Sequence, residues 1–174
     1  MSVNLSARQL LEGDIGEAVE EILKRTEFDP RNLHLEITES VIMQRPDLVT
    51  VILSRLKDLG IRVSIDDFGT GYSSLSYLHL FPVDTLKIDR SFVNSMNLLG
   101  KQKRIVETIL MLAKNLGMEV IAEGVEGEDQ RVALDNLGCG MAQGYLFSKA
   151  VDAAAVSAML LSGVAPRADG RVPA

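Results

Sequence analysis

Apolar and polar positions along this chain follow two periods that take turns. Between Arg104 and Leu116, the residues Ile105, Val106, Ile109, Leu110, Leu112, Ala113 and Leu116 recur at the three-to-four spacing of a single helix face. Val49, Ile52, Leu53 and Leu56 do the same after Pro46, and proline suits the first turn of a helix. A third stretch, Ala7 to Arg25, carries Leu10, Leu11, Ile15, Ala18, Val19 and Ile22 and predicts one helix. Six short runs between and beside these read as strands: SVNLS, LHLEIT, RVSIDD, TLKID, EVIAEG and AQGYLF.

A weak internal repeat orders residues 45–147. Three times a helical pattern ends in Leu-Gly and a strand follows at once, in LKDLGIRVSIDD, AKNLGMEVIAEG and LDNLGCGMAQGY. Gly60, Gly117 and Gly138 suit the left-handed cap that ends a helix. Helix followed by strand, repeated with short connections, predicts a parallel sheet.

The strands share a second property. At or near their C-terminal ends stand Asn4, Glu36, Asp66 with Asp67, Lys87 with Asp89, Glu123, and Gln143. Polar strand ends taken singly are often only solvated, but parallel strands in a closed or nearly closed sheet bring such ends to one edge. That edge is where parallel α/β barrels carry their chemistry.

Composition narrows what this edge can bind. The chain has 174 residues, is 47% hydrophobic, and has a formal net charge of −6, so it is long enough for one domain with a real core. A pI near 5.0 argues against nucleic-acid polymers and anionic membrane surfaces, and an anionic substrate then needs a cation to bring it in. The single cysteine, Cys139, excludes a disulfide framework and points to a reducing compartment, the cytoplasm; it reads as a packing residue. The uncharged, Ala-rich run Ala153 to Pro166 is short of the roughly 20 residues that span a bilayer and reads as a surface helix. No basic-then-apolar leader opens the sequence. The expected organisation is a body over 1–163 and a flexible tail over 164–174.

Asn, Glu and Asp offer only oxygen ligands, which select hard cations such as Mg²⁺, Mn²⁺ or Ca²⁺. The only histidines are His34 and His79, and His34 reads either as a site-lining residue or, better, as an ordinary strand residue. Two adjacent carboxylates at a strand end repel each other, and a cation between them removes the cost. Asp66 and Asp67 are therefore suited to bridging two metal ions, the arrangement used to activate water and stabilise a leaving oxygen in phosphoryl transfer. Lys87, alone among acids, is placed to hold a phosphate oxygen or the attacking water. Its bland alternative is a salt bridge with Asp89 or Glu123. Glu123 then reads as a further ligand or a general base. DFG and GTGYSS lack the companion motifs of a kinase or a P-loop.

Six motifs together, VNLSARQL, LEITES, DDFGTGYSSLSYL, LKIDRSFV, AEGVE and QGYLFSK, resemble in order and style the EAL domains, bacterial phosphodiesterases that hydrolyse cyclic di-GMP. The resemblance runs from Ser2 to about Lys149. It implies an incomplete (β/α)₈ TIM-like barrel with about six parallel strands, opening cyclic di-GMP to linear pGpG with Mg²⁺ or Mn²⁺ in a two-metal site. By the same resemblance Asn4, Glu36 and Asp66 are ligands of one metal and Asp67 of the second. Lys87 is the catalytic lysine, and Glu123 the base or metal-linked glutamate. Asp89, Glu126 and Gln143 shape the site or contact substrate, and Glu39 steadies the loop Phe68 to Ser74, which couples metal binding to dimer contacts.

The departures carry expectations too. Glu-Ala-Leu, which names the family and supplies a metal ligand on an earlier strand, occurs nowhere in the 174 residues, and Ala150 stands where proline is usual. Six strands leave an eight-stranded barrel open, so the chain is expected to dimerise or to be completed by a missing N-terminal segment, with sensory or GGDEF-type domains upstream. Two functions follow: a metal-dependent phosphodiesterase, impaired in this chain alone, or a non-catalytic cyclic di-GMP receptor or interaction module.

Overall fold

The computed structural model describes residues 1–71, 75–96 and 100–162. In chain order the elements are β1 (Ser2–Asn4), α1 (Ala7–Glu12), α2 (Ile15–Thr26), a 3₁₀ turn (Pro30–Asn32), β2 (His34–Thr38), α3 (Glu39–Ile42), α4 (Pro46–Asp58) and β3 (Arg62–Phe68). There follow α5 (Leu75–Leu78), β4 (Thr85–Ile88), α6 (Arg90–Ser95), α7 (Gly100–Leu116), β5 (Glu119–Ala122), α8 (Glu128–Asn136), β6 (Met141–Ala142) and α9 (Ala153–Ser162). The six strands form one parallel sheet in the order β1-β2-β3-β4-β5-β6, a half-barrel with β1 and β6 at its two edges.

The alternation along each strand explains the two faces of this sheet. Leu35, Ile37, Val63, Ile65, Leu86 and Ile88 are buried against the helix layer, where Val49, Leu53 and Leu56 of α4 and Val106, Ile109 and Ala113 of α7 meet them. Each fully buried Leu or Ile contributes about 1.5–3 kcal/mol of transfer free energy. The residues between them, Glu36, Ser64, Thr85 and Lys87, are buried and polar and face the inside of the half-barrel. A parallel sheet with one apolar face and one polar face has its chemistry on the polar face.

The repeat works as predicted. Gly60, Gly117 and Gly138 have φ of 87°, 71° and 81°, so each helix stops in the left-handed region that glycine tolerates and a strand begins within three residues. Cys139 is buried, its thiol donating to the Met141 carbonyl at 3.3 Å, as a packing residue would.

Two elements differ from expectation. The single helix expected over Ala7–Arg25 is two, because Asp14 caps a new one by accepting from the Glu17 N–H at 3.0 Å while its carboxylate pairs with Arg55. The strand expected over AQGYLF shrinks to Met141–Ala142. Gly144 turns the chain there, its carbonyl accepting from the Phe147 and Ser148 N–H groups, and a Cβ on it would lie 2.3 Å from the Val125 backbone. The surface helix read from the uncharged run is α9, with Leu160 and Leu161 largely exposed. No described helix is long and apolar enough to cross a membrane. Residues 72–74 of the loop assigned to Glu39, and the expected tail over 164–174, lie outside the described residues.

Candidate functional site

Parallel register places the strand ends side by side. Asn4 pairs with Glu36, Thr38 with Asp66, and Ile88 with Ala122, one residue before Glu123. On β3 the register with β4 shifts between Ile65 and Phe68, and Asp67 adopts a φ of 53°, uncommon for a residue with a side chain. In an unbroken strand neighbouring side chains face opposite ways. The break lets both carboxylates reach one cluster, in which oxygens of Asp66, Asp67 and Glu123 lie within 4.8 Å of one another.

Lys87 is the centre of the site. Its ammonium, only 3% exposed, lies 2.6 Å from Glu36 Oε2, 2.6 Å from Glu123 Oε1 and 3.1 Å from Asp66 Oδ1. Burial works against its charge, but hydrogen bonds to Glu123 and Glu36 and the charges of Glu123 and Asp66 outweigh it and hold the pKa well above the usual lysine range. The salt bridge envisaged with Glu123 exists. The one envisaged with Asp89 does not: Asp89 caps α6 by accepting from the Ser91 N–H at 2.9 Å and from the Ser91 hydroxyl, and its side chain also bonds Asp67.

The carboxyls of the cluster are held unequally. Burial, then the charges of Asp66 and Asp89, push Asp67 up. Burial also pushes Glu123 up, with Lys87 partly opposing it. Burial would raise Asp89 too, but the two Ser91 hydrogen bonds keep it low. Asp67 and Glu123 are thus short of positive charge, the condition that a bound cation relieves. The donor set fits: oxygen ligands only, clustered at one edge, with no sulfur or imidazole among them.

The surrounding residues support the cluster. Gln143 donates from Nε2 to Glu123 Oε1 at 2.6 Å. Glu39, buried beneath the β3 exit, accepts from the Gly69 and Gly71 N–H groups at 2.9 and 3.4 Å, so it ties down the described part of its loop. Asn4 stands exposed beside Glu36. Glu126 is exposed outside the acidic group. His34 starts β2, at the other end of the strand, in register with Arg62, and does not line the cluster. A groove of about 740 Å³ also lies away from it, between α7 and the start of β6, among Leu110, Met111, Leu137 and Met141.

Sequence reading missed Ser91 and Gln130. Gln130 accepts from the Glu126 and Gly127 N–H groups at 2.8 and 3.0 Å and donates to Asn94 on α6, joining the loop after β5 to the helix after β4. Its signal was present, since Gln130 sits three residues after Gly127, the spacing of a capping glutamine.

Comparison with known proteins identifies the family and the fold. The bifunctional diguanylate cyclase/cyclic di-GMP phosphodiesterase MucR of Pseudomonas aeruginosa is 42% identical over 153 residues, 88% of this chain and 22% of MucR. The structure of the PaMucR phosphodiesterase in its c-di-GMP complex matches with a TM-score of 0.86, covering 89% of this chain and 63% of that one. The EAL domain of Mycobacterium smegmatis DcpA, 41% identical, matches with a TM-score of 0.86 over 99% of this chain and 74% of its own. A manganese/cyclic di-GMP complex of Klebsiella pneumoniae BlrP1, 32% identical, matches with a TM-score of 0.79, covering 85% of this chain and 38% of that one. This chain spans about a fifth of the length of the first curated relatives it matches. Residues 1–150 match the family model of the EAL domain, and the chain belongs to the EAL domain family.

Proposed function

We propose that this chain is a metal-dependent cyclic di-GMP phosphodiesterase domain that hydrolyses its substrate to linear pGpG. The observation that carries this is the buried Lys87 ammonium set among Glu36, Asp66 and Glu123, beside the Asp66–Asp67–Glu123 group. A water oxygen adds to phosphorus while one phosphorus–oxygen ester bond breaks, leaving a phosphomonoester and a hydroxyl. Mg²⁺ or Mn²⁺, bound by the Asp and Glu oxygens with Asn4 alongside, supplies the positive charge that makes the water acidic and the diester electrophilic. Lys87 holds the diester oxygen or the water. Glu123, fixed by Gln143 and made more basic by burial, takes the proton. Asp89 orients Asp67, Glu126 faces the substrate side, and Glu39 fixes the loop after β3.

Supporting this reading, the relatives' names include a cyclic di-GMP phosphodiesterase and structures with bound c-di-GMP. MucR's bifunctional name supports a GGDEF-type partner domain, and the open edges of β1 and β6 support completion by a preceding segment or a second copy. The low pI and the single, unpaired cysteine support a cytoplasmic domain.

The second reading, a non-catalytic receptor or interaction module, is favoured by the ion pairs of Lys87, which partly neutralise the site by themselves. Incubating the purified chain with cyclic di-GMP and Mn²⁺ separates the two. Production of pGpG that disappears in Asp66→Asn supports hydrolysis; nucleotide binding with no product supports the receptor.

A further inference from the structure

The loop that leaves β5 carries Glu123 and Glu126 on a backbone that turns at Gly124 with a φ of 68°. Such a turn gives the segment more freedom than a site can use, and the fold removes it from two sides. Towards β6 it does so through the backbone. The Val125 N–H donates to the Gln143 carbonyl at 3.1 Å, the Leu146 N–H donates to the Val125 carbonyl at 2.9 Å, and Val125 is fully buried. On the other side the loop meets α6. A Cβ on Gly124 would lie 2.4 Å from Arg90 Cβ, so the backbone comes against the first turn of that helix with no room for a side chain. Beyond Gly124, contact with α6 passes through Gln130. Its Oε1 accepts from the Glu126 and Gly127 N–H groups at 2.8 and 3.0 Å, and its Nε2 donates to Asn94 Oδ1 at 3.0 Å. The same helix is capped by Asp89, whose side chain bonds Asp67.

We infer that Gln130 is a positioning residue: by tethering the loop of Glu123 and Glu126 to Asn94 on α6, it fixes Glu123 relative to the Asp67–Asp89 pair. A helix cap alone does less. A capping glutamine needs only its oxygen, to accept N–H groups at the start of its own helix. The Gln130 amide nitrogen is instead spent on a helix that lies 36 residues earlier in the chain. The effect on turnover rests on the phosphodiesterase reading above, whereas the tether itself does not.

The test works from the far end of the tether, with amide exchange read by NMR and hydrolysis of cyclic di-GMP followed with Mn²⁺. Asn94→Ala removes the acceptor and leaves the α8 cap in place; Asn94→Asp keeps an oxygen there. N94A is expected to speed exchange of the Glu126 and Gly127 amides at least about threefold, as for loss of an ordinary hydrogen bond, and N94D to return it to within about twofold of wild type. Gln130→Ala removes cap and tether together. It is expected to lower kcat about tenfold, and N94A at least about threefold, with KM changed less than kcat, the pattern of a misplaced catalytic group. Thermal melts check folding, and N94A carries the test where Q130A unfolds. Exchange at Glu126 and Gly127 that N94A leaves unchanged overturns the inference, because Gln130 then only caps α8. So does a kcat that stays at the wild-type value in N94A while exchange quickens. A wild-type chain that makes no pGpG ends the phosphodiesterase reading, while the exchange pattern still upholds or overturns the tether.

Discussion

At the N-terminal end of the strands, on the inner face of the sheet, Arg62 and Glu119 form an ion pair at 3.3 Å with both side chains about half exposed. At the C-terminal end of the same strands, Lys87 is 3% exposed and its partners Glu36, Asp66 and Glu123 are 10%, 14% and 16% exposed. One end pairs one cation with one anion in water. The other holds four acids, counting Asp67, around a single ammonium in a partly dry pocket. Exposed pairs are worth about 0–1 kcal/mol, whereas an uncompensated buried charge costs several. Excess negative charge thus sits where burial penalises it most, which a structural role does not explain and a cation-binding role does.

Three perturbations break or sharpen that contrast. Lys87→Met removes the one buried positive charge among the described residues and is expected to destabilise the chain by about 3–5 kcal/mol in urea unfolding without metal. Its contribution has a pH signature. The folded-state pKa is raised, so the stabilisation is fully present below the unfolded value of about 10.4 and is lost as pH rises beyond it. Melting curves from pH 7 to 11 read this as a wild-type stability that falls towards that of K87M.

A smaller effect is expected at Asp67. Its folded pKa is raised, so ionising it costs stability above that value and costs nothing below its unfolded value of about 3.9. Metal-free Asp67→Asn is therefore expected to melt above wild type at pH 7 and to lose that advantage as pH falls towards 4. Added Mn²⁺ is expected to reverse the order at pH 7, because wild type then gains the ion. The smallest effect belongs to the exposed end. Arg62→Met is expected to change unfolding free energy by less than about 1 kcal/mol and to leave Mn²⁺ binding unaltered.

Much of this was legible in the sequence, for identifiable reasons. The Leu-Gly caps are local, so Gly60, Gly117 and Gly138 could be read from their neighbours alone. The polar strand ends were legible because period-two alternation in a parallel sheet fixes where they gather. What escaped depended on contacts between distant segments. Asp14 breaks the first long helix partly because Arg55, on α4, is there to pair with it. Gly144 ends β6 because the Val125 backbone passes too close for a side chain. Lys87 pairing with Glu36, and Gln143 with Glu123, follow from the register of distant strands, while Asp89 is held by the Ser91 hydrogen bonds. The left-handed turn at Asp67 is of the same kind, set by the register shift against β4.

Anomalous diffraction at the manganese edge from crystals of the chain grown with Mn²⁺ tests the central claim most directly. A peak within bonding distance of Asp66, Asp67 and Glu123, with Lys87 alongside, is the result predicted. Manganese ordered only near Arg62 and Glu119, or at no position on the inner face, would contradict it.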